Sequence, residues 1–343
     1  MDKIHPTPVQ VIFSHLRITK RYYVYTSIVA LICLMIGLAG GIFVGIKRGI
    51  PFVAQREQWT IGIYTGTSPF TFDPAQNKSN PVLTAQDVTD VSAKFVADPF
   101  LVEEDSTWYL FFEVYNLKTE QGDLAVASST NTKSWKYEQI VLDEPFHLSY
   151  PYVFKWQDDY YLIPESFETN SIRLYKAVDF PTKWTFVKTL VEGGDFVDNS
   201  IVNFHNKWWL FAATTSNDTL HLFYADDLLG PWQEHPESPI VKGNKHIARS
   251  SGRVLVYKDR LFHYTMDVNP PFGTHQIWAF EITDITPVSY VEKKVSEVPI
   301  LKPSGSGWNE QAMHQIDPHQ VEQNHWIASV DGFGKYLVYG LQY

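Results

Sequence analysis

The sequence has almost no cysteine: among its 343 residues the only one is Cys33, and it lies inside a long apolar run. The chain after that run therefore has no thiol for a disulfide, a zinc site or a catalytic nucleophile. It also has no CxxC, HExxH, GxSxG or P-loop sequence. These absences exclude zinc proteases, elbow-type serine hydrolases and P-loop nucleotide hydrolases. Any chemistry must rest on carboxyl, imidazole, guanidinium and hydroxyl groups.

Basic residues are also few, and the formal net charge is -10. Nucleic acid is excluded as a partner, because neutralising phosphates needs clustered Lys and Arg. Long Leu/Ala/Glu/Lys stretches typical of helices are missing after the first fifty residues, whereas 15% of the chain is aromatic. This composition favours β structure. It also suits neutral, hydroxyl-rich ligands that stack on aromatic rings.

One segment does have helical character: residues 23–46 contain no charged side chain. The run is about long enough to cross a bilayer as a helix. A buried core helix and a cleavable signal peptide are the alternatives. Basic residues flank the run on both sides, so the positive-inside rule gives almost equal support to the two membrane orientations. We expect a single-pass membrane protein with a short cytoplasmic tail, residues 1–22, and a C-terminal domain exported to a periplasmic, extracellular or luminal space.

Five later segments share one layout, in which a short strand, a polar turn and an aromatic strand follow one another. They read VADPFLVEEDSTWYLFFE, SYPYVFKWQDDYYLIPES, VDNSIVNFHNKWWLFAAT, SSGRVLVYKDRLFHYTMD and QIDPHQVEQNHWIASVDG. Two further strands follow a hairpin of this kind, as in DLAVASS and SWKYEQIVL. A four-stranded unit that recurs about every 50 residues is typical of a propeller blade.

The sequence thus predicts an all-β fold, a five-bladed β-propeller over residues 91–343, preceded by the membrane helix. A β-sandwich with incidentally similar hairpins is the alternative. Residues 47–90, rich in Thr, Pro, Asn and Gln, are interpreted as a stalk and lead-in. Within them, IGIYTG could donate a strand that closes the propeller.

In a propeller the inner strand of each blade begins near the central axis, and its partner returns to the same face. Polar residues occur at both recurrent places. Counting back from the aromatic strands gives Asp98, Tyr150, Asp198, Ser251 and Gln315, and counting forward gives Glu113, Glu165, Asp267 and Asp331. Two carboxyl groups across a pocket are the minimum for glycoside hydrolysis. Each Asp could instead cap a turn or accept backbone N–H bonds at a strand end.

The ADP of the first unit and the DNS of the third resemble the five-bladed propellers of glycoside hydrolase family 43 and its relatives. The resemblance implies that Asp98 is the catalytic base or nucleophile and Asp198 the residue that orients and tunes the acid. That family has a Glu acid in its fourth blade, where this chain has Arg249 and Arg253 in ARSSGRVLVY. Arginine cannot donate a proton usefully. Glu165 is therefore our candidate acid, with Glu113 as the second choice and a rim salt bridge as the alternative for both.

A more extensive resemblance covers about residues 90 to 335. It is carried by the strings DEPFHLSYPYVF, YYLIPES, IRLYKA, GPWQEHPESPI, ARSSGRVLVY, GSGW and MHQID. They resemble the N-terminal domain of plant glucosamine inositolphosphorylceramide transferases and related bacterial proteins. In the plant proteins a separate C-terminal glycosyltransferase domain is thought to carry sugar transfer. The resemblance therefore implies a glycosyltransferase partner as readily as an activity of this chain.

Further polar residues are expected to converge on a sugar or anionic-sugar pocket. These substrate-binding candidates are His147, Tyr150, Arg249, Arg253, Asp267, His314 and Asp317. The arginines could hold a carboxylate or phosphate bidentately, or could merely neutralise Asp98 and Asp198. The family 43 resemblance implies a central calcium near His314, although calcium prefers oxygen ligands and a structural histidine is the alternative. No cofactor is otherwise expected. Two functions remain open: a glycosidase-like enzyme acting on carbohydrates or glycolipids, and a non-catalytic glycan-binding domain.

Overall fold

The computed structural model of the protein describes residues 8–48, 53–74, 80–268 and 275–339. It divides into two compact units. One contains the helix α1, Pro8–Arg48. Within α1, Tyr23–Phe43 has a mean hydropathy of 2.3 and is not buried against protein. By length and composition this segment could cross a membrane. The predicted tail at 1–22 is already helical from Pro8, and residues 1–7 lie outside the described residues.

The other unit, Glu57–Lys335, is a β-propeller of five antiparallel sheets, as the sequence predicts. Blade one consists of β3 (Ala93–Glu104), β4 (Thr107–Asn116), β5 (Gln121–Ser129) and β6 (Lys136–Leu142). Blade two consists of β7 (Ser149–Trp156), β8 (Asp159–Glu165), β9 (Ser171–Asp179) and β10 (Lys183–Glu192). Blade three consists of β11 (Phe196–Phe204), β12 (Lys207–Thr214), β13 (Thr219–Ala225), β14 (Gln233–Glu234) and β15 (Val241–Lys242).

The last two blades are less regular. Blade four consists of β16 (Arg249–Ser250), β17 (Leu255–Tyr257), β18 (Arg260–Met266), β19 (Ile277–Thr286) and β20 (Ser289–Lys294). Blade five consists of β21 (Ile316–Glu322), β22 (His325–Tyr339), β1 (Val53–Ser68) and β2 (Thr71–Pro74). Short 3-10 turns occupy Ala85–Asp87, Phe167–Thr169 and Gly307–Asn309.

Blade five is built from both ends of the chain, since β1 pairs with β22 and β2 pairs with β1. The expectation that residues 47–90 form a stalk outside the propeller is therefore wrong for 53–74. The alternative that IGIYTG supplies a closing strand is confirmed. Ile61 and Ile63 of this string are fully buried, so the strand belongs to the hydrophobic core. Residues 49–52 and 75–79 lie outside the described part of the chain.

The predicted hairpins hold a common register in four blades. The aromatic residues Tyr109, Tyr161, Trp209 and Phe262 each pair with the residue seven positions earlier. In blade five a β-bulge shifts the pairing by one, so that Trp326 pairs with Gln320. Apolar side chains of neighbouring sheets pack between the blades, as Phe100 of blade one packs with Tyr150 and Tyr152 of blade two. This packing fixes the inner strands around a central channel.

Candidate functional site

The inner strands of the first three blades begin with a backbone bulge. Asp98, Tyr150 and Asp198 all have positive φ, between 47° and 53°. The antiparallel register shifts at each of them. Positive φ is unfavourable for side chains other than glycine, so it must be offset by local bonds. We call this end of the channel the carboxylate mouth.

Carboxylates supply those bonds. The backbone N–H of Asp98 donates to Asp331 Oδ2 at 3.0 Å, that of Tyr150 to Asp98 Oδ2 at 3.2 Å, and that of Asp198 to Glu165 Oε2 at 3.2 Å. The five acids that surround the channel here are Asp98, Glu113, Glu165, Asp198 and Asp331, and we call them the carboxylate ring. All five are buried. The bulge and the ring therefore stabilise each other.

Burial of several acids together opposes their ionisation. It raises the pKa of the Asp98 carboxyl to about 7, with Asp198 and Asp331 adding to the rise while His314 and Arg249 oppose it. It raises the pKa of Glu165 well above the ordinary value, and the Asp198 carboxylate raises it further. The pKa of Glu113 is raised in the same way, by burial and then by the charge of Asp98. At neutral pH the site thus combines a carboxyl poised to ionise with carboxyls that keep their protons.

Arg249 partly compensates this negative charge. Its Nε donates to Asp198 Oδ2 at 2.5 Å, Nη1 donates to Asn217 Oδ1 at 2.9 Å, and Nη2 lies 3.9 Å from Glu165 Oε2. Arg249 begins β16, the sequence position at which the family 43 resemblance implies a Glu acid. Arg249 thus forms an ion pair with Asp198, while burial and the adjacent Asp198 raise the pKa of Glu165 well above its ordinary value.

His314 links two members of the carboxylate ring. Its Nδ1 lies 2.7 Å from Asp331 Oδ1, and its Nε2 lies 3.4 Å from Asp98 Oδ1. The Trp59 ring stacks on the imidazole at a centroid distance of 3.9 Å. Burial lowers the pKa of His314, but Asp331 and Asp98 outweigh it and the net shift is upward. An imidazolium here stabilises the ionised form of Asp98.

Among the described residues, Asp98, His314 and Asp331 form a group whose ligand atoms lie within 4.8 Å of one another. Calcium takes about six to eight oxygen ligands, whereas this group offers two carboxylates and one imidazole. The imidazole Nδ1 is already bonded to Asp331. The donor set therefore does not fit the expected calcium.

His147 also reaches the ring. Its Nδ1 accepts from the Gly122 N–H at 2.9 Å, so its proton is on Nε2, which lies 3.7 Å from Glu113 Oε1. Tyr150, in contrast, is fully buried. Its hydroxyl lies 3.0 Å from Ser200 Oγ and donates to the Gly252 carbonyl at 3.0 Å. The Tyr150 side chain therefore ties blades together and does not face a ligand.

Arg253 and Asp317 lie deeper in the channel than expected. Arg253 Nε donates to Asp317 Oδ1 at 2.8 Å, and Nη2 donates to the Val153 carbonyl at 3.0 Å. The Leu101 N–H donates to Asp317 Oδ2 at 2.6 Å. Leu101 follows Asp98 by three residues, roughly 10 Å along an extended strand. Arg253 and Asp317 therefore form an ion pair with each other one layer below the ring, and they do not lie beside Arg249.

Asp267 lies at the end of β18 and is largely buried. Its carboxylate is 3.0 Å from His246 Nδ1. It also raises the pKa of His275, which burial lowers to about 4. His275 in turn stacks on Trp59 at 6.4 Å. Asp267 therefore influences the site indirectly, because its charge acts on His275 and His275 stacks on Trp59.

Sequence reasoning missed Trp59 and His275 as site residues and gave Asp331 a place in the ring without a role. Trp59 was missed because its strand was assigned to the stalk. Its alternation with Ile61 and Ile63 in WTIGI was the available signal.

Comparison with solved structures assigns the fold to the glycoside hydrolase-like five-bladed propellers. The catalytic domain of a family 62 α-L-arabinofuranosidase from Coprinopsis cinerea superposes with a TM-score of 0.54, is 13% identical, and covers 82% of this chain and 97% of its own. A second glycoside hydrolase superposes with a TM-score of 0.52 and is 11% identical, over 69% of this chain and 86% of its own. At these identities the likeness concerns the fold alone.

The chain belongs to the family of the N-terminal domain of glucosamine inositolphosphorylceramide transferase 1, whose model matches residues 54–333. The protein of that name from Oryza sativa subsp. japonica is 35% identical over 297 residues, 80% of this chain and 40% of the relative. The one from Arabidopsis thaliana is 33% identical over 304 residues, 81% of this chain and 39% of the relative. The chain thus spans about 40% of the length of these relatives.

Proposed function

We propose that the protein is a membrane-anchored, carbohydrate-active propeller that cleaves a glycosidic bond in a glycan or glycolipid. The observation that carries this proposal is the state of Glu165. Burial and the adjacent Asp198 keep it protonated, and the Asp198 N–H orients it at 3.2 Å. A general acid for glycoside hydrolysis requires a raised pKa and a fixed position.

In the proposed mechanism Glu165 donates its proton to the leaving oxygen. Asp98, whose pKa is about 7, acts on the opposite side of the sugar. As base it takes a proton from a water that attacks the anomeric carbon while the bond to the leaving oxygen breaks; as nucleophile it attacks that carbon itself, and water then hydrolyses the glycosyl ester. Asp198 acts through Glu165, since its charge raises the pKa of the acid and its backbone holds the carboxyl. Arg249 holds the Asp198 carboxylate in place through the ion pair at 2.5 Å. The two steps need no cofactor.

The name of the relatives suggests the class of substrate. They are called glucosamine inositolphosphorylceramide transferases, so we infer an anionic glycolipid or the glycan it carries. The helix with the apolar segment Tyr23–Phe43 would hold the domain beside such lipids.

We infer a single-pass protein with an exported propeller. Alkaline carbonate extraction of membranes tests the anchor: the protein should stay in the membrane pellet, and release into the supernatant would contradict it.

A turnover assay tests the proposal. Full-length protein in detergent is incubated with p-nitrophenyl glycosides and with glucosaminyl inositolphosphorylceramide, and released sugar is measured. Glu165→Gln should lower the rate by roughly 10²- to 10⁴-fold while binding persists. Glu138→Gln, an exposed Glu on β6, is the matched control and should leave the rate unchanged. Equal turnover by the Glu165→Gln protein would refute the assignment of the acid.

A second candidate is a non-catalytic glycan-binding domain that works beside a glycosyltransferase. It is favoured by Arg249, which pairs with Asp198 and lies 3.9 Å from Glu165 where an acid would be expected. In the same assay this candidate predicts binding of the glycan without release of sugar by any variant.

A further inference from the structure

A second cavity opens at the end of the channel opposite the carboxylate mouth. Its volume is about 380 Å³, and four of the five blades line it. Its main lining residues are Val102, Trp108, Phe154, Arg253, His319 and Gln320. The residues from β3 and β7 follow Asp98 and Tyr150 by three to five positions, at least roughly 10 Å along the strands. The cavity is therefore axial and separate from the carboxylate ring.

A packed layer closes the channel between the two ends. Phe100 and Tyr152 are buried there, and the Arg253 guanidinium lies 5.8 Å and 5.0 Å from the centroids of their rings. Asp317, fully buried, completes the layer by its ion pair with Arg253. A ligand in the second cavity cannot reach Asp98 through this layer.

The polar groups of the cavity include both donors and acceptors. Arg253 is engaged with Asp317, main-chain carbonyls and Tyr152, whereas the Lys155 ammonium, which has three N–H donors, bonds to the two Glu104 oxygens at 2.9 and 3.0 Å. Gln320 donates through Nε2 to the Glu322 carbonyl, which leaves its Oε1 as an acceptor. The exposed Glu103 carboxylate adds a further acceptor. A hydroxyl group both donates and accepts, so a polyol matches this mixture.

Charge argues against an anion. Arg253 is neutralised by Asp317 at 2.8 Å, and Lys155 by Glu104 at 2.9 Å. Glu103 then leaves the lining without excess positive charge. Trp108 and Phe154 add aromatic surface, which favours the apolar face of a sugar ring over a phosphate. The volume lies at the lower end of ligand pockets, about 300 to 1,000 Å³, and suits one sugar unit.

We propose that this cavity is a second carbohydrate site, which binds a neutral sugar residue without cleaving it. Such a site would let the propeller hold a glycan at one mouth while the carboxylate ring acts on another part or another chain. It stands independently of the proposed cleavage, because it shares no side chain with the ring.

Ligand titration of full-length protein in detergent tests the site. The probes are D-glucose, D-mannose, D-xylose, L-arabinose, N-acetyl-D-glucosamine and myo-inositol, with inorganic phosphate as the anionic probe, observed by saturation-transfer NMR. At least one neutral probe should bind with a Kd of roughly 1 mM. Gln320→Trp, which fills the rim, should weaken it about tenfold or more, and Gln320→Ala by about threefold.

Two controls locate the binding. Gln139→Trp makes the same change at an exposed position of β6 and should leave the Kd unaltered. Asp98→Asn, in the carboxylate ring, should also leave it unaltered. Sugar binding lost in Asp98→Asn but kept in Gln320→Trp would place the sugar at the ring and overturn the proposal. Binding of phosphate alone would overturn the class of ligand, and no binding of any probe would overturn the site.

Discussion

Asp98 and Glu165 are both buried carboxyl groups, and their pKa values differ because their neighbours differ. The charge of His314 lowers the pKa of Asp98 and so opposes the effect of burial. Glu165 instead faces the Asp198 carboxylate. The sequence could predict that both acids lie near the axis, because their positions follow from the repeat. It could not predict which one keeps its proton, because that depends on neighbours from other blades.

The raised pKa of Asp98 predicts how stability depends on pH. Between about pH 4 and 7 the folded state holds a proton that the unfolded state has released, so the free energy of unfolding falls as pH rises. The slope for this group is up to about 1.4 kcal/mol per pH unit. Asp98→Asn removes this contribution. Its stability relative to wild type should therefore increase from pH 4 to 7 in urea unfolding, and a constant difference would contradict the raised pKa.

Arg249 should contribute to the stability of the fold, because it is the ion-pair partner of the buried Asp198. Arg249→Met leaves that carboxylate without its partner and should lower the free energy of unfolding by about 3 kcal/mol. The double variant Arg249→Met/Asp198→Asn removes both charges and should recover much of this loss. Urea unfolding of the single and double variants measures the coupling. If the losses in the free energy of unfolding were strictly additive, the two charges would not be coupled, and the ion pair would contribute nothing to stability.

At the scale of the element, the inner strands and their hairpins were predictable because one pattern recurs five times. The irregular beginning of blade four was not. There the positive φ of 127° falls on Gly252, one residue later than counting indicates. Its N–H donates to the Tyr150 hydroxyl at 2.7 Å. Such a shift depends on contacts with Tyr150 and Ile316, which lie far away in sequence.

Gly252→Ala should be strongly destabilising. An added Cβ would lie 1.7 Å from the Ile316 carbonyl oxygen, and positive φ adds strain. We expect a loss of about 3 to 5 kcal/mol in unfolding experiments. Gly243→Ala is the control, since φ there is 71° but a Cβ meets nothing within 4 Å. It should cost about 1 kcal/mol, and equal losses at both sites would refute the close approach.

The closing strand β1 makes a further prediction. A fragment that begins at residue 91 lacks β1 and β2, so β22 keeps its pairing with β21 but loses its pairing with β1, and the buried Ile61 and Ile63 leave the core. It should not unfold cooperatively in a thermal scan followed by circular dichroism. A fragment that begins at residue 51 should do so. Equal melting temperatures for the two fragments would contradict the role of β1 in closure.

At the scale of the whole molecule, propellers of this shape serve many functions, and the family relation covers about 40% of the length of the plant relatives. The fold was accessible from the sequence because repeats and hydropathy are local. The sequence offered IGIYTG as a possible closing strand but could not decide between this and a stalk, since β1 and its partner β22 are separated by most of the chain. The proposed cleavage therefore rests on the geometry of the carboxylate ring and not on the fold.

The pH profile of kcat/KM for glycoside cleavage by the full-length protein tests this account most directly. Asp98 must be ionised while Glu165 stays protonated, so the rate should rise as pH passes about 7. It should fall again only at higher pH, where Glu165 loses its proton. Asp98→Asn should lower kcat/KM by roughly 10²- to 10⁴-fold and abolish the acidic limb. A profile that Asp98→Asn leaves unchanged, or binding with no cleavage at any pH, would contradict it.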